Sequence, residues 1–263
     1  MGQPFRDCVA LVTGASSGIG KALSLRLARE GCRVGLIARR RELLDKLADQ
    51  ICTEGGCCAI AVADVSDRDA TQAAVRQIRD KLGPVDYLIA NAGVGTPTIL
   101  DPLNIADVER MFQVNVFGVI YVIEAVLPEM VRRKQGHICA VSSLAAFKGM
   151  PGESAYCATK AAVNIYLEGL RIQLREHNVA VTTVCPGFVA TPMTEVNDFH
   201  MPFLVSAERA ADHIVRALRR RRKVYCFPWQ MSVLMRLLRW LPDRLIARSM
   251  RSYNENPPMM KIT

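Results

Sequence analysis

Short apolar runs alternate with longer amphipathic stretches along most of the chain. Residues 8–12, 33–38, 58–63, 86–90, 137–141, 179–184 and 224–227 are brief and rich in Val, Ile, Leu, Ala and Cys, which marks strands buried on both faces. Between them, residues 21–30, 42–53, 67–82, 104–134, the stretch after Tyr156 and 206–221 place apolar residues at helical spacing. Gly31 and the pair Gly83-Pro84 stand where helices should stop. This alternation predicts an α/β fold: a doubly wound, seven-stranded parallel sheet with helices on both faces. In such sheets a ligand lies beyond the carboxyl ends of the strands. With 263 residues the chain can bury a large core. The expected organisation is one domain over 1–228 and a helical extension over 229–263.

The chemistry sits at those strand ends. The first run leads into Thr13-Gly14-Ala15-Ser16-Ser17-Gly18-Ile19-Gly20 and then a helix. Strand, glycine-rich turn and helix form the context of a phosphate-binding loop, because glycine admits close approach and the helix N-terminus offers free N–H groups. The second run ends in Ala38, followed by Arg39, Arg40 and Arg41. An acid at that point would hold the ribose of NAD, whereas an arginine suits the 2′-phosphate of NADP, so the reading here is NADP. Later runs end in Asp64-Val65, Asn91-Ala92-Gly93, Ser142-Ser143 and Cys185-Pro186-Gly187. Tyr156 and Lys160 are four residues apart and share one helix face. A phenol has a reference pKa of about 10. A neighbouring cation lowers it, which would make the pair a proton donor or acceptor.

Taken together, TGASSGIG at 13–20, Asp64-Val65, NAG at 91–93, Asn115, Ser143, YCATK at 156–160 and Pro186-Gly187 resemble the short-chain dehydrogenase/reductase family in its single-domain Rossmann form. The resemblance covers roughly residues 7–227. It implies that Tyr156 is the general acid in ketone reduction and the base in alcohol oxidation. Lys160 would hold the nicotinamide ribose and lower the Tyr156 pKa. Ser143, with Ser142 as the alternative, would bond the substrate oxygen, and Asn115 would support a water and Lys160 in a proton relay. Gly14, Gly18 and Gly20 would shape the cofactor loop, with Ser16, Ser17 and Ile19 near phosphate. Asp64 and Val65 would bracket the adenine, Asn91 and Gly93 (flanking Ala92) would contact the adenine ribose or stabilise the sheet, and Val189 and Thr191 beyond Pro186-Gly187 would meet the carboxamide. Ser17 stands where some NADP-using members carry a basic residue, so the NADP reading rests on Arg39, with Arg40 second. The family also implies a homodimer or homotetramer.

Composition adds three points. The nine cysteines lie mostly in apolar runs with no C-x-x-C, and the four histidines have no ligand spacing, so no metal site is expected and the compartment reads as cytoplasmic. No apolar run reaches about 18 residues, the length of a spanning helix. The net charge of +9 is concentrated at the C-terminal end: residues 216–263 hold 12 Lys/Arg against 2 Asp/Glu, the rest 22 against 23. Within 229–251 the residues Ser232, Arg236, Arg239 and Asp243 predict one polar stripe, and Pro242 should split the segment into two helices. A basic amphipathic helix with Trp reads either as an anionic-membrane contact or as a face docked on the body or a second subunit. Nucleic acid is not expected. Residues 192–205 are mostly apolar and read either as facing an apolar carbonyl or alcohol substrate or as a flexible apolar lid packed on itself. Two other readings compete with NADP(H)-dependent oxidoreduction: a non-catalytic, cofactor-sensing or membrane-recruited binding protein, and an NAD-linked dehydrogenase.

Overall fold

The computed structural model describes residues 5–195 and 200–249. Asp198 and Phe199 of the predicted substrate segment, residues 1–4 and residues 250–263 of the extension lie outside them. The element order is β1 (Val9–Thr13), α1 (Gly18–Arg29), β2 (Arg33–Ala38), α2 (Arg41–Thr53), β3 (Cys57–Val62), α3 (Arg68–Leu82) and β4 (Tyr87–Ala90). Then come α4 (Ile105–Phe112), α5 (Gly118–Arg133), β5 (Gly136–Val141), α6 (Ser154–Gln173), β6 (Val179–Pro186), β7 (Val189–Ala190), β8 (Val205–Ser206), α7 (Ala207–Arg219), β9 (Val224–Phe227), α8 (Trp229–Leu238) and α9 (Asp243–Ser249).

Seven strands form one sheet in the order β3-β2-β1-β4-β5-β6-β9, and every pairing is parallel. Every residue of β1 and β5 is buried, which explains why both read as uninterrupted apolar runs. Leu23, Leu27, Leu44, Leu47, Ile214 and Leu218 from α1, α2 and α7 cover one sheet face. Val75, Ile78, Val122, Val126, Val163 and Leu167 from α3, α5 and α6 cover the other. The strand order reverses between β1 and β4, the crevice where such sheets bind dinucleotides. Local signals agree with the helix starts: Asp67 accepts a cap bond from Ala70 N–H at 2.9 Å, and Ser206 caps α7 through Arg209 N–H.

Four features depart from the sequence expectation. The segment 104–134 is two helices joined through a π turn over Gln113–Phe117, in which Gly118 N–H bonds to the Gln113 carbonyl. The same run, Ile105–Arg133, does contain an 18-residue window of mean hydropathy 1.7, so a stretch apolar enough to span a bilayer is present by composition. Its Val119, Val122, Ile123, Val126 and Met130 are buried against the sheet, and Arg68 pairs with Glu124 on its outer side, which makes it a core helix. A second, two-stranded parallel sheet, β7 with β8, was not foreseen. Finally, Pro242 does separate two helices, but Ser232 is buried under α8 rather than lying on a solvated polar stripe.

Candidate active site

One cleft of about 260 Å³ opens beyond the carboxyl ends of β1, β2, β4, β5 and β6. Every residue of the predicted catalytic and cofactor-binding set lines it except Gly20 and Asn115. Gly20 lies under the glycine-rich turn: a Cβ there would sit 2.2 Å from the Gly14 carbonyl oxygen and 2.7 Å from Asn91 Nδ2. Gly14 has φ +65°, a left-handed conformation natural to glycine, and a Cβ on it would meet Ala92 Cα at 2.8 Å. The start of α1 carries no side-chain cap and no acid in its first turn. Its N–H groups and positive dipole end therefore face the cleft without a protein anion to neutralise them.

At the outer end of the cleft, β2 closes with Ala38, buried and uncharged. Arg40 donates from Nη2 to Ser17 Oγ at 2.9 Å and to Ser16 Oγ at 3.1 Å. Arg39 reaches Asp64 at 3.5 Å. Burial tends to raise the Asp64 pKa, but the Ser66 N–H and hydroxyl, with Arg39, hold the carboxyl below its usual value. Both arginines thus stand at the outer end of the cleft beyond β2, and the cradle fits a dinucleotide. Asn91 holds the floor, donating from Nδ2 to the Thr13 carbonyl at 3.0 Å, while Asn91 and Ala92 N–H both bond to Thr13 Oγ1.

At the inner end, Tyr156, Lys160 and Ser143 converge. Tyr156 and Lys160 project from the first turns of α6, and the Lys160 ammonium lies 5.6 Å from the Tyr156 ring centroid. The Ser143 side chain lies near enough to the Tyr156 phenol to pull its pKa down, whereas Ser142 donates to the Lys160 carbonyl at 3.1 Å; Ser143 is thus the serine at the phenol. Lys160 Nζ donates to the Val141 carbonyl at 3.1 Å. Asn115 is fully buried on the π turn. Its Oδ1 accepts from Val94 N–H at 2.8 Å, and its Nδ2 donates to the Val94 carbonyl at 2.8 Å and to Thr159 Oγ1 at 3.1 Å. The Asn115 side chain therefore clamps the loop after β4 onto α6, and its polar atoms are spent on that positioning.

The sequence model of the short chain dehydrogenases matches residues 8–200. The chain belongs to the short-chain dehydrogenase family. It is 40% identical over 242 residues to an uncharacterized oxidoreductase of Myxococcus xanthus, covering 92% of this chain and 96% of the relative. It is 39% identical over 189 residues to the oxidoreductase UcpA of Escherichia coli, covering 71% of each. Among solved structures, a 3-ketoacyl-ACP reductase from Sinorhizobium meliloti superposes with a TM-score of 0.77 at 31% identity, covering 86% of this chain and 99% of that one. Levodione reductase, with a TM-score of 0.80 at 23% identity over 87% of this chain and 99% of its own, shares the fold.

The electrostatics of this short-chain dehydrogenase differ in one respect from the expectation. Burial pushes the Tyr156 pKa up to about 12, Ser143 pulling the other way, and Lys160 does not lower it. The reason is desolvation of the cation itself: burial depresses Lys160 to about 8. The sign of the resulting stability effect follows. The unfolded lysine titrates near 10.5 and the folded one near 8, so between those values the unfolded chain binds the extra proton and stability rises with pH. Below about pH 8 the full penalty remains, on the order of 3 kcal/mol. Urea titrations should show wild-type stability rising from pH 8 to 10.5 relative to Lys160→Met. Parallel pH curves for the two proteins would refute the buried-ammonium assignment.

Sequence reading overlooked Thr13, Val94, Thr159 and Thr194. Thr194 Oγ1 donates to the Val189 carbonyl at 2.6 Å and accepts from Thr191 N–H at 3.0 Å, shaping the loop whose Thr191 covers Gly18. Thr159 donates to the Tyr156 carbonyl at 2.8 Å. These threonines act through backbone groups, and their only signal is adjacency to the glycine turn, the tyrosine or the Pro186-Gly187 loop.

Proposed function

We infer that this oxidoreductase is NADP(H)-dependent and moves a hydride between the nicotinamide and a carbonyl/secondary-alcohol pair, with Tyr156 passing the proton. The observation that carries this reading is the polarity of one cleft. Arg39 and Arg40, after an uncharged Ala38 at the end of β2, mark the end that would take the adenosine 2′-phosphate, and Tyr156, Ser143 and Lys160 share the other. The bound cofactor supplies the hydride. The glycine turn and the uncapped start of α1 would receive its pyrophosphate, and Lys160 would face its ribose. Ser143 holds the substrate oxygen against the Tyr156 hydroxyl, which donates its proton as negative charge grows on that oxygen. With its pKa pushed up to about 12, the phenol is protonated near neutrality, the state that donates a proton in the direction of ketone reduction. The 31%-identical structural neighbour is a ketoacyl reductase by name, in keeping with that direction. Met193 lines the cleft, and it, Phe203 and Leu204 of the same segment are exposed, which suits an apolar substrate.

The arginines give a direct test. A charge-assisted bond contributes roughly 1.5–3 kcal/mol, or about 10–100-fold in affinity. Fluorescence titration should show Arg39→Asp and Arg40→Asp each weakening NADPH by that factor while leaving NADH nearly unchanged. Equal losses for the two cofactors would remove the 2′-phosphate assignment.

A further inference from the structure

We propose that α8 and α9 form a docking face for an anionic lipid membrane. The apolar residues of α8 divide between two sides. Met231, Met235 and Leu238 pack inward with Leu144, Phe147, Cys185 and Cys226, so the helix is anchored to the body. Trp229, Val233 and Leu237 follow i, i+4, i+8 spacing along the other side and are exposed, as are Trp240, Leu241 and Leu245 beyond. Trp240 is 87% exposed and Trp229 71%. Docking on the body therefore accounts for one face of the helix and leaves a second, larger-residue apolar face open to solvent, the kind of patch that marks an interaction surface.

Charge selects the occupant. Arg236, Arg239, Arg244 and Arg248 are all exposed along the same two helices. The acid among them, Asp243, is bonded to Lys148 at 2.9 Å. Residues 216–263 carry a net +10, against −1 for the remainder. A two-fold contact between copies would set this positive field against itself, whereas an anionic bilayer takes tryptophans at its interface and arginines at its headgroups. The face also has a place relative to the cleft. A Cβ on Gly187 would lie 3.3 Å from Met231 Cγ and from Pro228 Cδ, so α8 stands directly behind a wall of the site.

The protein carries its own probe, since its two tryptophans both lie on this face. The full chain would be mixed with phosphatidylcholine vesicles with and without phosphatidylserine, following tryptophan emission and co-sedimentation. The expected result is a blue shift and pelleting with the serine-lipid vesicles, lost at about 1 M salt, where the screening length is near 3 Å. Arg236→Glu/Arg239→Glu should lower partitioning at least about tenfold. Val233→Ser/Leu237→Ser, at exposed positions, should abolish it while circular dichroism and cofactor binding stay unchanged. Absence of pelleting with either vesicle would overturn the proposal, as would equal binding to both. So would a concentration-dependent blue shift without lipid, accompanied by a doubled mass in sedimentation velocity and cured by the Val233/Leu237 variant, which would assign the face to a second copy of this chain.

Discussion

Tyr156→Phe is expected to bind NADPH like the wild type and to lower kcat for carbonyl reduction by about 10²–10⁴-fold. The substitution deletes a single hydroxyl. The ring stays where α6 puts it: beside Gly95, where a Cβ would lie 3.5 Å from Tyr156 Cδ2, and under the Lys160 ammonium. What goes is the hydroxyl proposed as the proton donor. No neighbour replaces it cheaply, because Lys160 Nζ is tied to the Val141 carbonyl and Cys157 is buried with its pKa raised to about 11. A substrate would come from a screen of carbonyl compounds for NADPH oxidation by the wild-type protein. If the variant kept a tenth or more of wild-type kcat with unchanged KM, Tyr156 would be a packing residue and the proton would come from elsewhere.

Gly20→Ala should lose both stability and cofactor. The added methyl would meet the Gly14 carbonyl oxygen at 2.2 Å and Asn91 Nδ2 at 2.7 Å. One is backbone, and the other is held by the Thr13 carbonyl, so neither can swing aside. Overpacking of this kind costs about 1–3 kcal/mol and occasionally more, which for a chain of this size lowers Tm by roughly 3–10 °C. Relief comes only by moving the glycine turn away from β4, which withdraws the N–H groups that would receive the pyrophosphate. Calorimetry with and without NADPH separates the two effects. The variant should melt early and gain little from cofactor, whereas a normal NADPH-induced rise in Tm would show that the turn tolerates the methyl.

The strands were legible because a sheet covered on both faces demands continuous apolar runs, and the site because its groups sit at the ends of those runs. Legibility failed where structure depends on phase or on contact across the chain. The π turn leaves hydrophobic spacing nearly intact, so 104–134 reads as a single helix. The β7–β8 pair is two residues on two residues, too short for a periodic signal. The spacing of Ser232, Arg236 and Arg239 does place them on one stripe of α8, but it cannot tell which stripe faces the body. The body chose the side carrying Met231 and Met235, turning Ser232 inward and both tryptophans out. The depressed lysine was equally out of reach, since pattern shows a cation near a phenol but not how little solvent reaches either.

The π turn also fixes a relation between the two ends of that rod. An α-helix advances about 100° per residue, and the wider Gly118-to-Gln113 bond takes up an extra residue without the matching rotation. The segments α4 and α5 thus share an axis but hold separate angular settings. One keeps α4 against α6, the other keeps Val122 and Val126 on the sheet, and Asn115 occupies the seam. A one-residue deletion in 113–117 would merge the two settings into a single regular helix. Either α4 would then turn off α6 or α5 would turn off the sheet, and in both cases Val94 would lose its clamp. The seam thus fixes the number of residues between the two settings as well as the asparagine that sits in it.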